Sequence, residues 1–187
     1  MADLDPEFTA LPLRTLADAA LQRATDLGAT HADVRIVRQR TGQHVLRDAE
    51  LERSIDDVSI GIAVRVVHHG CWGFAAGITM TTAAAVTLAD QAMQTARVSA
   101  PLTSRRVELA PEPVHADATW VSAYELNPFQ VAESDRIGRL RELSQRLLAA
   151  DGVDHADASV SFVQENVFYA DLAGTSTTQQ RVRIDPD

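Results

Sequence analysis

The sequence predicts an α+β domain, a curved antiparallel sheet backed by about three helices, in which a helix-strand-strand unit occurs twice. Three observations predict it. Between Val58 and Val66 the branched residues Val58, Ile60, Ile62, Val64 and Val66 alternate with Ser59, Gly61, Ala63 and Arg65, the period of two that marks a strand. Three separate segments carry apolar residues at helical spacing with glycine or a hydroxyl residue at an end. And His31-Ala32-Asp33 recurs as His155-Ala156-Asp157, 124 residues on, each time after a helical segment and a glycine. A three-residue match is short, and chance is its alternative; the shared helix, glycine, strand, strand order is what supports a repeat.

Taken in order, residues 1–12, with Pro6 and Pro12, read as an N-terminal arm, and 13–187 as a single domain. From Leu13 to Leu27 the residues Leu16, Ala20, Ala24 and Leu27 share a helix face, and Gly28 is placed to end it. HADVRIVR, QHVLRDA and ELERSI then read as three short strands, with turns at Thr41-Gly42 and at Asp48–Glu50. With the hairpin that follows they make a meander of about five strands. In that hairpin His68, His69 and Gly70 form the loop, and Trp72, Phe74 and Ala76 resume the alternation. One of its faces is expected to be apolar core. The other, lined by Gly61, Ala63, Gly73 and Ala75, leaves room for a second layer or another chain. A helix capped by Thr81 or Thr82, with Val86, Ala89, Met93 and Ala96 in one stripe, is expected to cross the branched-aliphatic face. The proline-broken stretch 99–129 wraps a surface or serves function, with Trp120 and Tyr124 as anchors or partner contacts. A third helix runs from a Ser134 cap to Asp151, burying Ile137, Leu140, Leu143 and Leu147. The last run, with Val182 and Ile184, reads either as a strand cut short in a fragment or as a terminus at a sheet edge, the fragment being the expectation.

Composition narrows the function. The chain has 187 residues, 45% of them hydrophobic, and a net charge of −9. All 17 basic residues are arginine, and none lies in a run longer than Arg105-Arg106, so the clustered positive charge that phosphate backbones require is missing and direct nucleic-acid binding is disfavoured. The single cysteine, Cys71, excludes an internal disulfide and fits a reducing cytoplasm. No apolar run is long enough for a membrane span, and no charged-then-apolar start marks a signal peptide. Adjacent His68 and His69 lack the spaced partners of a zinc site and read as a solvated hairpin tip; His31 and His155 read as surface or cap residues, and Asp33, Asp56 and Asp57 as solvated turn carboxylates. Neither a phosphate-binding glycine loop nor a nucleophile elbow occurs.

The element Gly61-Ile62-Ala63-Val64-Arg65 followed by Gly70-Cys71-Trp72-Gly73-Phe74-Ala75-Ala76, the alanine-rich helix after it and the segment HADASVSFVQENVFYADLAGTSTTQQ resemble the N-terminal domain of the TldD/PmbA family, also called modulators of DNA gyrase, with wording closer to TldD-like members. The resemblance runs from about Leu13 to Ile184. It implies a cytoplasmic metallopeptidase system acting on unfolded peptides, in which TldD-like subunits pair with PmbA/TldE-like partners and hold zinc on an HExxxH helix of a C-terminal domain. This sequence contains neither HExxxH nor HExxH, so the resemblance transfers no catalytic or metal-ligating residue and no cofactor to this chain; zinc is expected in a C-terminal domain outside it.

The expected role is a substrate-guiding and assembly domain, inactive alone, with the family's partner subunit or its own C-terminal domain as partner. Arg65, Trp72 and Phe74 are the candidate cleft or interface residues, the two aromatics being equally readable as core. The alternative is a non-enzymatic protein-interaction module; continuation of the reading frame past Asp187 into an HExxxH helix separates the two.

Overall fold

The computed structural model describes residues 4–187. Two helices open it, a single turn α1 (Pro6–Thr9) and α2 (Leu13–Asp26). They are followed by β1 (His31–Arg47), β2 (Glu50–His68), β3 (Cys71–Gly77), α3 (Thr82–Ser99), β4 (Ala118–Val121), α4 (Glu133–Leu148), β5 (Asp157–Asp171) and β6 (Ser176–Pro186). The strands form one sheet in the order β3-β2-β1-β5-β6-β4, antiparallel throughout except that β4 runs parallel to β6.

The expected five short strands are two long ones, β1 and β2, and the short β3. HADVRIVR and QHVLRDA join through Thr41-Gly42 into β1, and ELERSI continues without a break into β2. Thr41-Gly42 is no turn, because Gly42 is there to make room: a Cβ on it would lie 2.0 Å from the ring of Phe162 on β5. The chain reverses at Asp48-Ala49, both at positive φ, as a two-residue turn demands.

The repeat shows in the topology. α2-β1-β2 and α4-β5-β6 are the two units, and a glycine with positive φ lies between helix and strand in each, Gly28 directly after the C-cap of α2 and Gly152 in a turn four residues beyond the end of α4. β1 and β5 lie side by side in a register that pairs Arg40 with Gln164. These positions are also 124 residues apart, the spacing of the two His-Ala-Asp motifs. The units are therefore related by a local two-fold that passes through the middle of the sheet.

Every helix packs on one face. Even-numbered residues of β1, β2 and β5 point to it. At one end Val34, Ile36, Ile62, Val64, Val66, Phe168 and Ala170 pack beneath α2 and α3, whose Leu16, Ala20, Ala24, Ala89, Met93 and Ala96 are buried. Thr81 caps α3 through its side chain. At the other end Leu46, Ala158, Val160 and Phe162 pack beneath Leu140 of α4. That helix starts at Glu133 after Ala132, without the expected Ser134 cap. It buries less than its stripe promised, Leu143 and Leu147 being 43% and 52% exposed, because only its inner edge reaches β1 and β5.

Between the two apolar clusters lies a buried polar layer, and its hub comes from the N-terminal arm. Asp5 accepts from Arg38, from Gln164 Nε2 at 3.0 Å and from Asn166 Nδ2 at 3.3 Å, while its own backbone N–H donates to Gln180 Oε1 at 2.6 Å. Asn127 Nδ2 extends the layer to Gln164 Oε1 at 2.6 Å. Burial of these groups is tolerable because most of them satisfy one another; Asn166 Oδ1 is the exception, buried with no hydrogen-bond partner among the described residues.

Two predictions follow from this packing. A Cβ at Gly73 would lie 1.8 Å from the backbone oxygen of Ala92 on α3, whereas one at Gly138, on α4, meets nothing within 4 Å. Gly73→Ala is expected to destabilise by about 1–3 kcal/mol and Gly138→Ala to stabilise by about 0.5–1 kcal/mol, both read by urea unfolding. His44, 1% exposed, accepts at Nε2 from Arg136 Nε at 3.0 Å, and its Nδ1 faces Ser54 Oγ at 3.1 Å. Burial first, and the Arg136 charge second, lower its pKa. The unfolded chain therefore takes up this proton before the folded one does, and stability falls as pH drops below about 6.5. Thermal melts between pH 7 and pH 5 should show that loss in the parent and less of it in His44→Gln.

Candidate functional site on the open face of the sheet

The face opposite the helices carries the odd-numbered residues of β1, β2, β5 and β6. β3 joins it with even numbers, and the reason is a turn. His69 and Gly70, at φ 49° and 76°, make a two-residue loop, so His68 pairs with Cys71 and Arg65 with Phe74. The loop expected from sequence had three residues. One residue fewer changes the parity and turns each β3 side chain to the other face. Gly73, Ala75 and Gly77 thus lie under α3, which approaches them closely, while Trp72, Phe74 and Ala76 stand with Gly61, Ala63 and Arg65 on the open face. The core alternative for Trp72 and Phe74 is overturned by the same step: Phe74 is 59% exposed.

Arg65 is held from two sides. Its Nε donates to Asp33 Oδ2 at 2.8 Å, and its guanidinium carbon lies 4.5 Å from the centre of the Trp72 ring. His31 meets the same ring edge-on at 6.0 Å and places Nε2 3.3 Å from Asp33 Oδ2. Asp33, expected to be a solvated turn carboxylate, is a strand residue 2% exposed that organises Arg65, His31 and, at 4.0 Å, Arg35. Sequence reading missed it because nothing local to Asp33 names a partner, and only the register brings Arg65 opposite it.

The Arg65–Trp72 contact is one of three of its kind on this face. Arg35 lies 5.5 Å from the centre of the Tyr169 ring, across β1 and β5, and Arg181 lies 6.0 Å from that of Trp120, across β6 and β4. Trp120 is therefore no buried anchor, being 49% exposed; Asn127 and Pro128 fill that role, with Tyr124 accepting a hydrogen bond from Gln180. Tyr169 donates to Asp171 Oδ2 at 3.1 Å. Its phenol is pushed above its ordinary range by burial and then by the charges of Asp33 and Asp171, so it remains a hydrogen-bond donor through neutral pH. Between these pairs, beneath Glu112, Pro113 and His115 of the proline-broken stretch, runs a groove of about 520 Å³ floored by Val167 and Tyr169.

The other side of the sheet holds a larger polar depression, of about 850 Å³, beside Asp5, Tyr124 and Phe129. Its two cations already have internal partners, Arg38 with Asp5 and Glu7 and Arg40 with Asp56. Asp56 is therefore a strand carboxylate with its pKa lowered by that hydrogen bond, not a turn residue. At the β2-β3 turn, His68 Nδ1 lies 3.0 Å from the Gly28 carbonyl oxygen, and His155 pairs with Asp48. Among the described residues no three His, Cys, Asp or Glu side chains converge as a metal would need, and these residues do not fit a zinc centre. No helix of the described residues is long and apolar enough to cross a membrane.

A six-stranded curved sheet with all helices on one face is the fold of a group of solved proteins. One, from Bacteroides thetaiotaomicron and described as a modulator of DNA gyrase, superposes with a TM-score of 0.67 at 14% identity, over 90% of this chain and 38% of that one. A second protein so described, from Thermotoga maritima, gives 0.69 at 9% identity over 89% and 37%. TldE from Thermococcus kodakarensis gives 0.69 at 12% over 89% and 37%. This chain spans under two-fifths of the length of each. Residues 32–96, from the start of β1 into α3, match the family model described as PmbA/TldA metallopeptidase domain 1. No curated protein matches the chain. In sequence model and in fold the chain matches the N-terminal domain of the TldD/PmbA family, the resemblance that Trp72 and its neighbours carried.

Replacing Asp33 by Asn keeps its size and removes the charge that holds Arg65 and His31. A loss of about 1–2 kcal/mol is expected in urea, limited because Arg65 is partly exposed and screened. Trp72 fluorescence, read in a Trp120→Phe background, should change as the guanidinium leaves the ring.

Proposed function

We propose that this chain is the substrate-guiding and assembly domain of a TldD-like zinc metallopeptidase of the cytoplasm that acts on unfolded peptides, and that it is non-catalytic by itself. The zinc and its hydrolytic chemistry reside outside these 187 residues, in a C-terminal domain, and the open face packs toward that domain or toward a PmbA/TldE-like partner subunit. What carries the reading is the face itself: helices cover only one side of the sheet, and the uncovered side presents three arginine–aromatic pairs, of which Arg35, Arg65 and Tyr169 line a groove.

The peptide's place is the outer edge of β3. Among the described residues that strand ends the sheet and pairs only with β2. The two-residue turn makes His68 and Cys71 a hydrogen-bonded pair, so Trp72, Phe74 and Ala76 direct their backbone N–H and C=O groups outward. An extended peptide added there bonds through its main chain, whatever its side chains, and this suits a peptidase of unfolded substrates. Arg65, Trp72 and Phe74 wall that edge.

Ala76→Pro removes one outward N–H without touching the β2–β3 ladder. In the complete gene product it is expected to raise KM for an unfolded peptide about tenfold or more with the melting temperature nearly unchanged, loss of one main-chain bond plus the steric block of the ring exceeding 1.4 kcal/mol. An unchanged KM removes β3 as the docking edge. Zinc content and peptide cleavage measured on the 187 residues alone and on the complete product test the larger claim; zinc-dependent cleavage by the 187 residues alone overturns it.

A further inference from the structure

β3 covers only the Ile62–His68 half of β2. The other half, from Glu50 to Gly61, has no strand on its outer edge among the described residues, and Glu50 through Ser59 are all exposed, on both faces of the sheet. Leu51, Ile55 and Val58 are among them at 41%, 40% and 48%. No proline interrupts the segment. A long free edge with apolar side chains is a template for another strand.

Hydrogen-bond parity says which strand fits. The Val67 carbonyl is turned toward the β1 side, where Thr30 N–H donates to it at 2.8 Å, and the His68–Cys71 pair sets the even-numbered residues of β2 facing outward. The β1–β2 register is unbroken between Arg53 and Val67, so Ser54, Asp56, Val58 and Ile60 present their N–H and C=O groups at the free edge. An antiparallel partner must set outward residues against outward residues. If the partner is β2 of a second copy, the two-fold axis therefore passes through a residue.

Five centres lie within the segment 53–57. On Arg53 or Asp57 the axis sets a charge against itself, on Asp56 likewise, and on Ser54 it sets Glu52 against Asp56. Only on Ile55 are the charges complementary: Arg53 of each copy lies opposite Asp57 of the other, Ile55 meets Ile55, and Ser54 meets Asp56. Arg53 and Asp57 share the open face and make no ion pair within the chain among the described residues.

We propose that two copies of this chain pair antiparallel through the free half of β2, on a two-fold axis at Ile55, joining their sheets into one continuous sheet with Arg53 and Asp57 as the reciprocal contacts. This surface is separate from the β3 edge assigned above to peptide.

Sedimentation equilibrium on the full chain tests it. The parent is expected to reach twice the chain mass. R53D and D57R each place like charges together twice, and each is expected to raise the dimer dissociation constant at least about tenfold. Mixed in equal amounts, the two variants restore opposite charges at both contacts, and the dimer should return. Both positions are exposed, and circular dichroism verifies that each variant is folded. Under mild oxidation I55C is expected to form a covalent dimer, since directly opposed residues of a non-hydrogen-bonded pair lie about 4.5 Å apart and the native thiol of Cys71 is buried. A parent that stays monomeric at all concentrations overturns the proposal. So does a dimer indifferent to both reversals, or a mixture that fails to reassociate.

Discussion

The direction in which Trp72 and Phe74 point depends on the length of one turn. With His69 and Gly70 both at positive φ, the loop between β2 and β3 has two residues, and position i of β2 faces position 139 − i of β3. Even-numbered residues thereby lie beside odd-numbered ones. Glycine and alanine come to rest under α3, where at Gly73 nothing larger fits, and the aromatics come to rest beside Arg65. Chirality enforces the turn: its twist matches that of the strands, and a positive φ costs Gly70 nothing and a residue such as His69 little enough to be tolerated once per hairpin.

A one-sided distribution of helices follows from the same parity along the other strands. Val34, Ile36, Val64 and Phe168 need apolar cover, and α2 and α3 supply it; Leu46 and Phe162 need it at the far end, and α4 supplies it. The two apolar clusters do not merge, because Arg38, Gln164 and Asn166 occupy the middle of the same face and Asp5 closes over them. The N-terminal arm is thus part of the fold: its helical turn α1 buries Phe8 completely. With the helices so placed, the opposite face retains a mixed surface of valine, threonine, arginine and aromatic rings. Arg35 and Arg65 are stacked on aromatic rings, paired with Asp33 and line a groove, while the chain as a whole is acidic. Such a face is suited to packing against protein, where planar guanidinium groups meet aromatic and carbonyl surfaces.

What was legible in advance differs from element to element for physical reasons. α3 was readable to its cap, because Thr81 and the alanine stripe are local signals. α4 was readable as a helix, but its burial was not, because burial depends on what lies opposite. β1 was divided wrongly at Thr41-Gly42, since glycine as a turn former and glycine as space for a neighbouring ring look the same in sequence; Phe162, which makes the difference, is 120 residues away. Asp33 was misread for a similar reason. Its role comes from Arg65 across the register, a partner that no local pattern names.

By itself the sequence determined the α+β class, the doubled helix-strand-strand unit, the periodicities that make strands and helices, and the motif that carries the resemblance to the TldD/PmbA family. These are carried by short-range patterns, or by spacings that survive without knowledge of contacts. Tertiary structure alone decided which face each β3 side chain occupies, which carboxylate grips Arg65, that Asp5 seals the polar layer, and that half of β2 has no strand on its outer edge among the described residues. Those outcomes depend on strand register and turn length, where a change of a single residue exchanges the two faces of the sheet.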